Sequence, residues 1–135
     1  MDILSSDPRS LTASNLVDLI IISSDITFSY LSETVSYISK LSDDSPIFLN
    51  KKRFDLIIAR YTSMRRYVEG TVEFARDPKS RTDASLEAMY AGDDASQSVD
   101  LAKELRGGPP QEMVRRGERL MDLATVLSLL TDNLE

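Results

Sequence analysis

The sequence predicts an all-α protein: an antiparallel four-helix bundle, or a long helical hairpin with two shorter helices packed on it. Three observations predict it. Apolar residues recur about once per α-turn through most of the chain. The segments that carry this rhythm run well past the roughly 3–10 residues of an ordinary strand. The connections between them are short, which favours antiparallel neighbours. Residues 1–135 read as a single helical domain, with residues 1–10 flexible and helices over about 11–41, 47–76, 83–106 and 110–134.

The first helix is the least obvious. Residues 16–41, LVDLIIISSDITFSYLSETVSYISKL, are rich in residues that strands favour. Ile26, Phe28 and Tyr30 even alternate with Thr27 and Ser29. No Gly, Pro or Asn interrupts the run, however, and Phe28, Leu31, Val35 and Ile38 follow a heptad-like helical spacing. Lys40 falls in the expected last turn, where a cation suits the helix dipole. On the other face, Ser23, Ser24, Thr27, Ser29, Ser32, Thr34, Ser36 and Ser39 stand where a surface helix carries Lys and Glu. Such a face is either solvated or covered by a neighbour, since small hydroxyl residues allow close approach and bond back to their own helix.

SDDSP at 42–46 is a turn, with Ser45 a candidate cap and Pro46 at the first helical position. The second helix carries Phe54, Ile57, Ile58, Tyr61, Met64, Val68, Val72 and Ala75 on one face, and stops before Pro78. The third, with Thr82 or Asp83 as cap, has a stripe of small residues: Ala84, Ala88, Ala91, Ala95, then Val99, Ala102 and Leu105. Leu86, Met89, Tyr90 and Leu101 lie to the sides, and AGDDAS at 91–96 threatens to break the helix. Gly107-Gly108 is a stop signal. Pro109-Pro110 opens the fourth helix, with Glu112 in its first turn and a stripe of Met113, Leu120, Leu123, Leu127, Leu130 and Leu134.

Composition narrows the chemistry. At 135 residues, 41% hydrophobic and 28% charged, the chain suits an ordinary folded domain. It contains no Cys, no His and no Trp, so the commonest catalytic base and transition-metal ligand are missing. No phosphate-binding glycine loop, zinc-protease pair, nucleophile elbow or EF-hand loop is present. The pairs Asp43-Asp44, Asp93-Asp94 and Glu69 with Glu73 read as solvated surface. No catalytic, cofactor-binding or metal site is therefore expected, and the protein reads as non-enzymatic. The N-terminus has neither a charged n-region nor an apolar h-region, and the aliphatic run Leu19–Ile22 is far short of the roughly 20 residues of a membrane span. Cytoplasmic or nuclear residence without a membrane span is the corresponding expectation.

The formal charge of −6 disfavours a general nucleic-acid coat. Its distribution is uneven. Residues 47–76 hold seven bases against three acids, a charge of +4, while residues 1–46 hold two against seven, a charge of −5. Lys51, Lys52 and Arg53 sit near a helix start, where they oppose the dipole at about 0.3–1 kcal/mol each. With Arg60, Arg65 and Arg66 they form a candidate basic docking patch; the alternative is intramolecular balance by the acidic third helix.

The functional expectation is an interaction subunit or adaptor of a larger assembly, binding a protein partner or a second copy of itself. Its candidate interface is Phe28, Tyr30, Leu31, Val35, Tyr37 and Ile38 of the first helix with Leu120, Leu123, Leu127 and Leu130 of the fourth. The alternative is a nucleic-acid-associated regulator using the basic patch. No cofactor is implied.

Overall fold

The computed structural model describes residues 15–134, which form four α-helices and, among the described residues, no strand: α1 (Leu16–Asp44), α2 (Phe48–Arg76), α3 (Arg81–Lys103) and α4 (Gln111–Asp132). The expected flexible residues 1–10 and the expected start of the first helix near residue 11 lie outside the described residues. Each helix packs on the next, and α4 closes the ring against α1. Arg60 meets Asp94, Tyr67 meets Tyr90 and Gly70 meets Glu87, so α2 and α3 run antiparallel. Gly92 against Ala124 and Val99 against Gly117 show the same for α3 and α4. The all-α, up-and-down four-helix bundle is the observed architecture.

The core is built from the stripes. Ile20, Leu31 and Ile38 of α1 meet Ile57, Met64 and Val68 of α2 and Leu120, Leu123 and Leu127 of α4. The alanine stripe of α3 is buried along its length, from Ala84 to Ala102. Small side chains there let α3 approach its neighbours closely. At Gly117 the approach is close: a Cβ placed there would lie 2.6 Å from Val99 Cγ2.

Several local expectations are corrected. The helix α1 runs on to Asp44, so its last turn carries acids and no base, and Lys40 lies a turn upstream. Its N-cap is Asn15, whose side-chain oxygen accepts the Asp18 N–H at 3.0 Å. Ser45 does not cap α2. It ends α1, and its hydroxyl accepts the Ile47 N–H at 3.3 Å, while α2 starts at Phe48 with no side-chain cap. Ser80, rather than Thr82 or Asp83, precedes α3. AGDDAS does not break α3, because Ala91 and Ala95 are core and Asp94 is paired across to α2. Gly107 and Gly108 both take positive φ, 85° and 84°, and form the turn that separates α3 from α4.

Candidate functional site

The hydroxyl-rich helix divides its polar residues between the inside and the outside. Ser23, Ser24, Thr27 and Thr34 are buried, while Ser29, Ser32 and Ser36 are exposed to varying degrees. Thr27 and Thr34 donate to the carbonyls one turn back, at 2.8 Å each, so the buried threonines are satisfied within their own helix. Two arginines from neighbouring helices flank α1. On the α2 side, Arg65 lies 5.1 Å from the Phe28 ring centre, donates to Ser32 Oγ at 3.2 Å and pairs with Glu69 at 3.5 Å. On the α4 side, Arg116 lies over Tyr30 and Tyr37 and pairs with Glu112 at 3.1 Å. Arg115 also holds Glu112 through short hydrogen bonds and, above all others, keeps that carboxyl below its usual range.

The candidate interface residues do not form one surface. Leu31, Ile38, Leu120, Leu123, Leu127 and Leu130 are core residues, which corrects their place in the candidate interface. A bundle of this size needs those stripes to close on one another, each buried leucine or isoleucine being worth about 1.5–3 kcal/mol. Phe28, Tyr30, Val35 and Tyr37 are half-buried along the two grooves beside α1. A shallow hollow of about 290 Å³ in the α1–α2 groove brings Leu31 and Val35 together with Arg65 and Tyr61.

The basic residues are likewise dispersed. Arg60 turns to Asp94 on α3 and Arg65 to Phe28 and Ser32 on α1, so both are used within the bundle. Lys51, Lys52 and Arg66 are exposed, and Arg53 is half-buried. The physical reason is the helical period: the six positions point in several directions around α2. Among the described residues, no group of three or more His, Cys, Asp or Glu is placed to hold a metal, and no helix is long and apolar enough to cross a membrane.

A different face carries the features of a protein-binding surface. Tyr67 of α2 and Tyr90 of α3 meet with ring centres 5.3 Å apart and planes at 46°. Leu86 and Met89 of α3 are also exposed. Between the same two helices, Arg60 Nη1 reaches Asp94 Oδ1 at 3.5 Å. Next to the tyrosines, Glu87 covers the backbone at Gly70, and its carboxyl is raised from the usual range, first by burial and then by Asp83. Tyrosine, methionine and arginine are the residues enriched at protein interfaces. Among these groups no nucleophile–base pair is formed. Sequence reasoning missed it, although a signal existed. The alanine stripe fixes the inner side of α3, so Leu86, on the opposite side, must face outwards.

No protein-family model matches the sequence, and no curated protein does. The fold, by contrast, matches solved structures. A crystal structure of a pectin methylesterase inhibitor from Arabidopsis thaliana is similar with a TM-score of 0.81 and 18% sequence identity, over 91% of this chain and 80% of that one. A crystal structure of a mutant form of a pectin methylesterase inhibitor from Arabidopsis is similar to the same degree, over 91% of this chain and 81% of that one. At this identity the likeness establishes the fold. It also corrects two expectations. The bundle is one used by an inhibitor that binds an enzyme, and neither the adaptor or assembly-subunit reading nor the nucleic-acid alternative has a counterpart in these neighbours. Pectin is an extracellular polysaccharide, so a cytoplasmic or nuclear setting is likewise at odds with them.

Proposed function

We propose that this chain is a protein inhibitor that docks on an enzyme of the pectin methylesterase class, using the α2–α3 face around Tyr67, Leu86, Met89 and Tyr90. The observation that carries the reading is the likeness of the bundle over 91% of the chain to a pectin methylesterase inhibitor. The exposed aromatic and aliphatic face supports it. Interfaces concentrate their energy in a few such anchors, surrounded by contacts that exclude water. The mechanism is occlusion. A rigid bundle that buries its apolar anchors against the enzyme denies substrate the space, and no chemistry is required of its own side chains.

The test is a methanol-release assay on esterified pectin with a plant pectin methylesterase, with gel filtration of the mixture. The expected result is a stoichiometric complex and loss of esterase activity. Replacing Leu86 and Met89 with Asp should weaken inhibition at least tenfold without lowering the melting temperature. Full esterase activity in a molar excess of the chain, with no co-elution, would overturn the reading.

A further inference from the structure

We propose that the end of the bundle at which α2 begins docks on an anionic lipid surface. The inference is independent of the enzyme proposed above and rests on another part of the molecule. Ile47, Phe48 and Leu49 are consecutive, large, apolar and exposed, and Phe48 keeps 68% of its surface in solvent. Leu56, two turns along the same side of α2, is also exposed. Lys51 and Lys52 stand immediately behind this apolar tip, with the Lys52 ammonium 5.3 Å from the Phe48 ring centre.

The end of α3 and the adjoining α3–α4 connection bring Lys103 and Arg106 to the same end, with Glu104 between them. Asn50 is buried and clasps the connection: Nδ2 donates to the Arg106 carbonyl at 3.1 Å, and the Arg106 N–H donates to Oδ1 at 2.9 Å. That clasp fixes the exposed Arg106 side of the connection beside the start of α2. Lys51, Lys52, Arg53, Lys103 and Arg106 thus lie at this end with Asp43, Asp44, Asp55 and Glu104, five bases against four acids in a chain whose formal charge is −6.

Three local features work against the isolated protein. Large apolar side chains face water. Lysines lie near the positive end of the helix dipole. The helix start has no side-chain cap and no acid in its first turn. An anionic bilayer reverses all three. Hydrocarbon takes up Ile47, Phe48 and Leu49 at headgroup depth, and lipid phosphates neutralise the lysines and suit the uncapped N–H groups. A polyanionic polysaccharide or nucleic acid would answer the charge and leave the aliphatic tip in water. The membrane is engaged at its surface, consistent with the absence among the described residues of any helix able to cross it.

The experiment is co-sedimentation of the full chain with vesicles of one part phosphatidylserine to two parts phosphatidylcholine, with phosphatidylcholine alone as reference. The chain contains no Trp, so Phe48→Trp supplies a single reporter of burial. Binding to the anionic vesicles at low salt, loss at high salt and a blue shift of the indole emission are expected. Replacing Lys51 and Lys52 with Ala should weaken binding by about 20- to 30-fold, roughly fivefold for each lysine. Phe48→Asp should abolish it with unchanged helicity. Absence of vesicle binding at low salt, binding that survives both sets of changes, or binding to polygalacturonate or RNA without vesicle binding would each overturn the proposal.

Discussion

The Arg116 guanidinium lies 5.3 Å from the ring centre of Tyr30 and 5.4 Å from that of Tyr37. The two tyrosines are two turns apart on α1, so one cation from α4 spans both. The Arg116 side chain is only 19% exposed, where a cation–π contact is stronger than at an open surface. Replacing Arg116 with Ala should destabilise the bundle by about 2 kcal/mol, and with Lys by about half that, because an ammonium keeps the charge and loses the planar stacking. Urea unfolding checks both. A change under about 0.5 kcal/mol for the Ala variant, the range of an ordinary surface substitution, would show the contact to be idle.

Gly117 marks a second close contact, with Val99 Cγ2 at 2.6 Å and Tyr61 Oη at 3.1 Å from where a Cβ would sit. Valine is stiff about χ1 in a helix and cannot swing aside. Gly117→Ala should therefore cost about 1–3 kcal/mol by overpacking, despite the better helix propensity of Ala. Gly92→Ala meets only Ala124 Cβ at 3.7 Å, an ordinary contact, and should stabilise the protein by about 0.4–1 kcal/mol. Thermal melts of the two variants should move in opposite directions. Adding Val99→Ala to Gly117→Ala should recover part of the loss; failure to do so would place the strain elsewhere.

The phenol of Tyr61 is buried, and that burial pushes its pKa up to about 12 from 10; the Tyr30 charge adds slightly, and a hydrogen bond with Ser98 offsets part of the rise. In the unfolded chain Tyr61 loses its proton near pH 10, so above that pH the unfolded state binds fewer protons than the folded one. Stability therefore falls as pH rises from about 10 to about 12, and the contribution is fully present below that window. The total is of the order of 2–3 kcal/mol. The half-buried Tyr37, also raised by burial first, acts in the same direction. Denaturant midpoints measured between neutral and strongly alkaline pH should show this loss, and Tyr61→Phe should flatten it.

The parts of this fold legible in the sequence are those set by repetition within a segment. The leucines of α4 and the alanines of α3 recur every three or four residues, and the structure buries them at those positions. Repetition does not reveal which apolar stripe serves the core and which is left over. In the sequence Leu120, Leu123 and Leu127 resemble material for a partner, because a core and an interface bury the same kind of side chain. The outward residues lie instead beside the alanine stripe, at Leu86 and Met89. Caps are illegible for a related reason: Asn15 and Ser45 compete with other hydroxyls and amides nearby, and the backbone geometry decides. The continuity of α3 through Gly92, Asp93 and Asp94 depends on tertiary contacts, which local propensity does not record.

Arg60 and Asp94 give the last test, because the sequence leaves the same arginine open either to docking or to balance by the acidic third helix, and the structure pairs it with that helix. In the structure Asp94 is buried, with one carboxylate oxygen 3.5 Å from Arg60 Nη1 and the other without a hydrogen bond. Removing Arg60 leaves that carboxylate without its counter-charge. Breaking a fully buried pair costs about 3–5 kcal/mol, but half of the Arg60 side chain is solvated, which screens the interaction. Arg60→Ala should accordingly cost about 1–3 kcal/mol. Asp94→Asn in the Arg60→Ala background should restore part of the loss, because the buried charge is then gone. Equilibrium unfolding of the two singles and the double forms the cycle. If Arg60→Ala left stability unchanged, Arg60 would be free to meet a partner; if it costs the predicted amount, the residue belongs to the joint between α2 and α3.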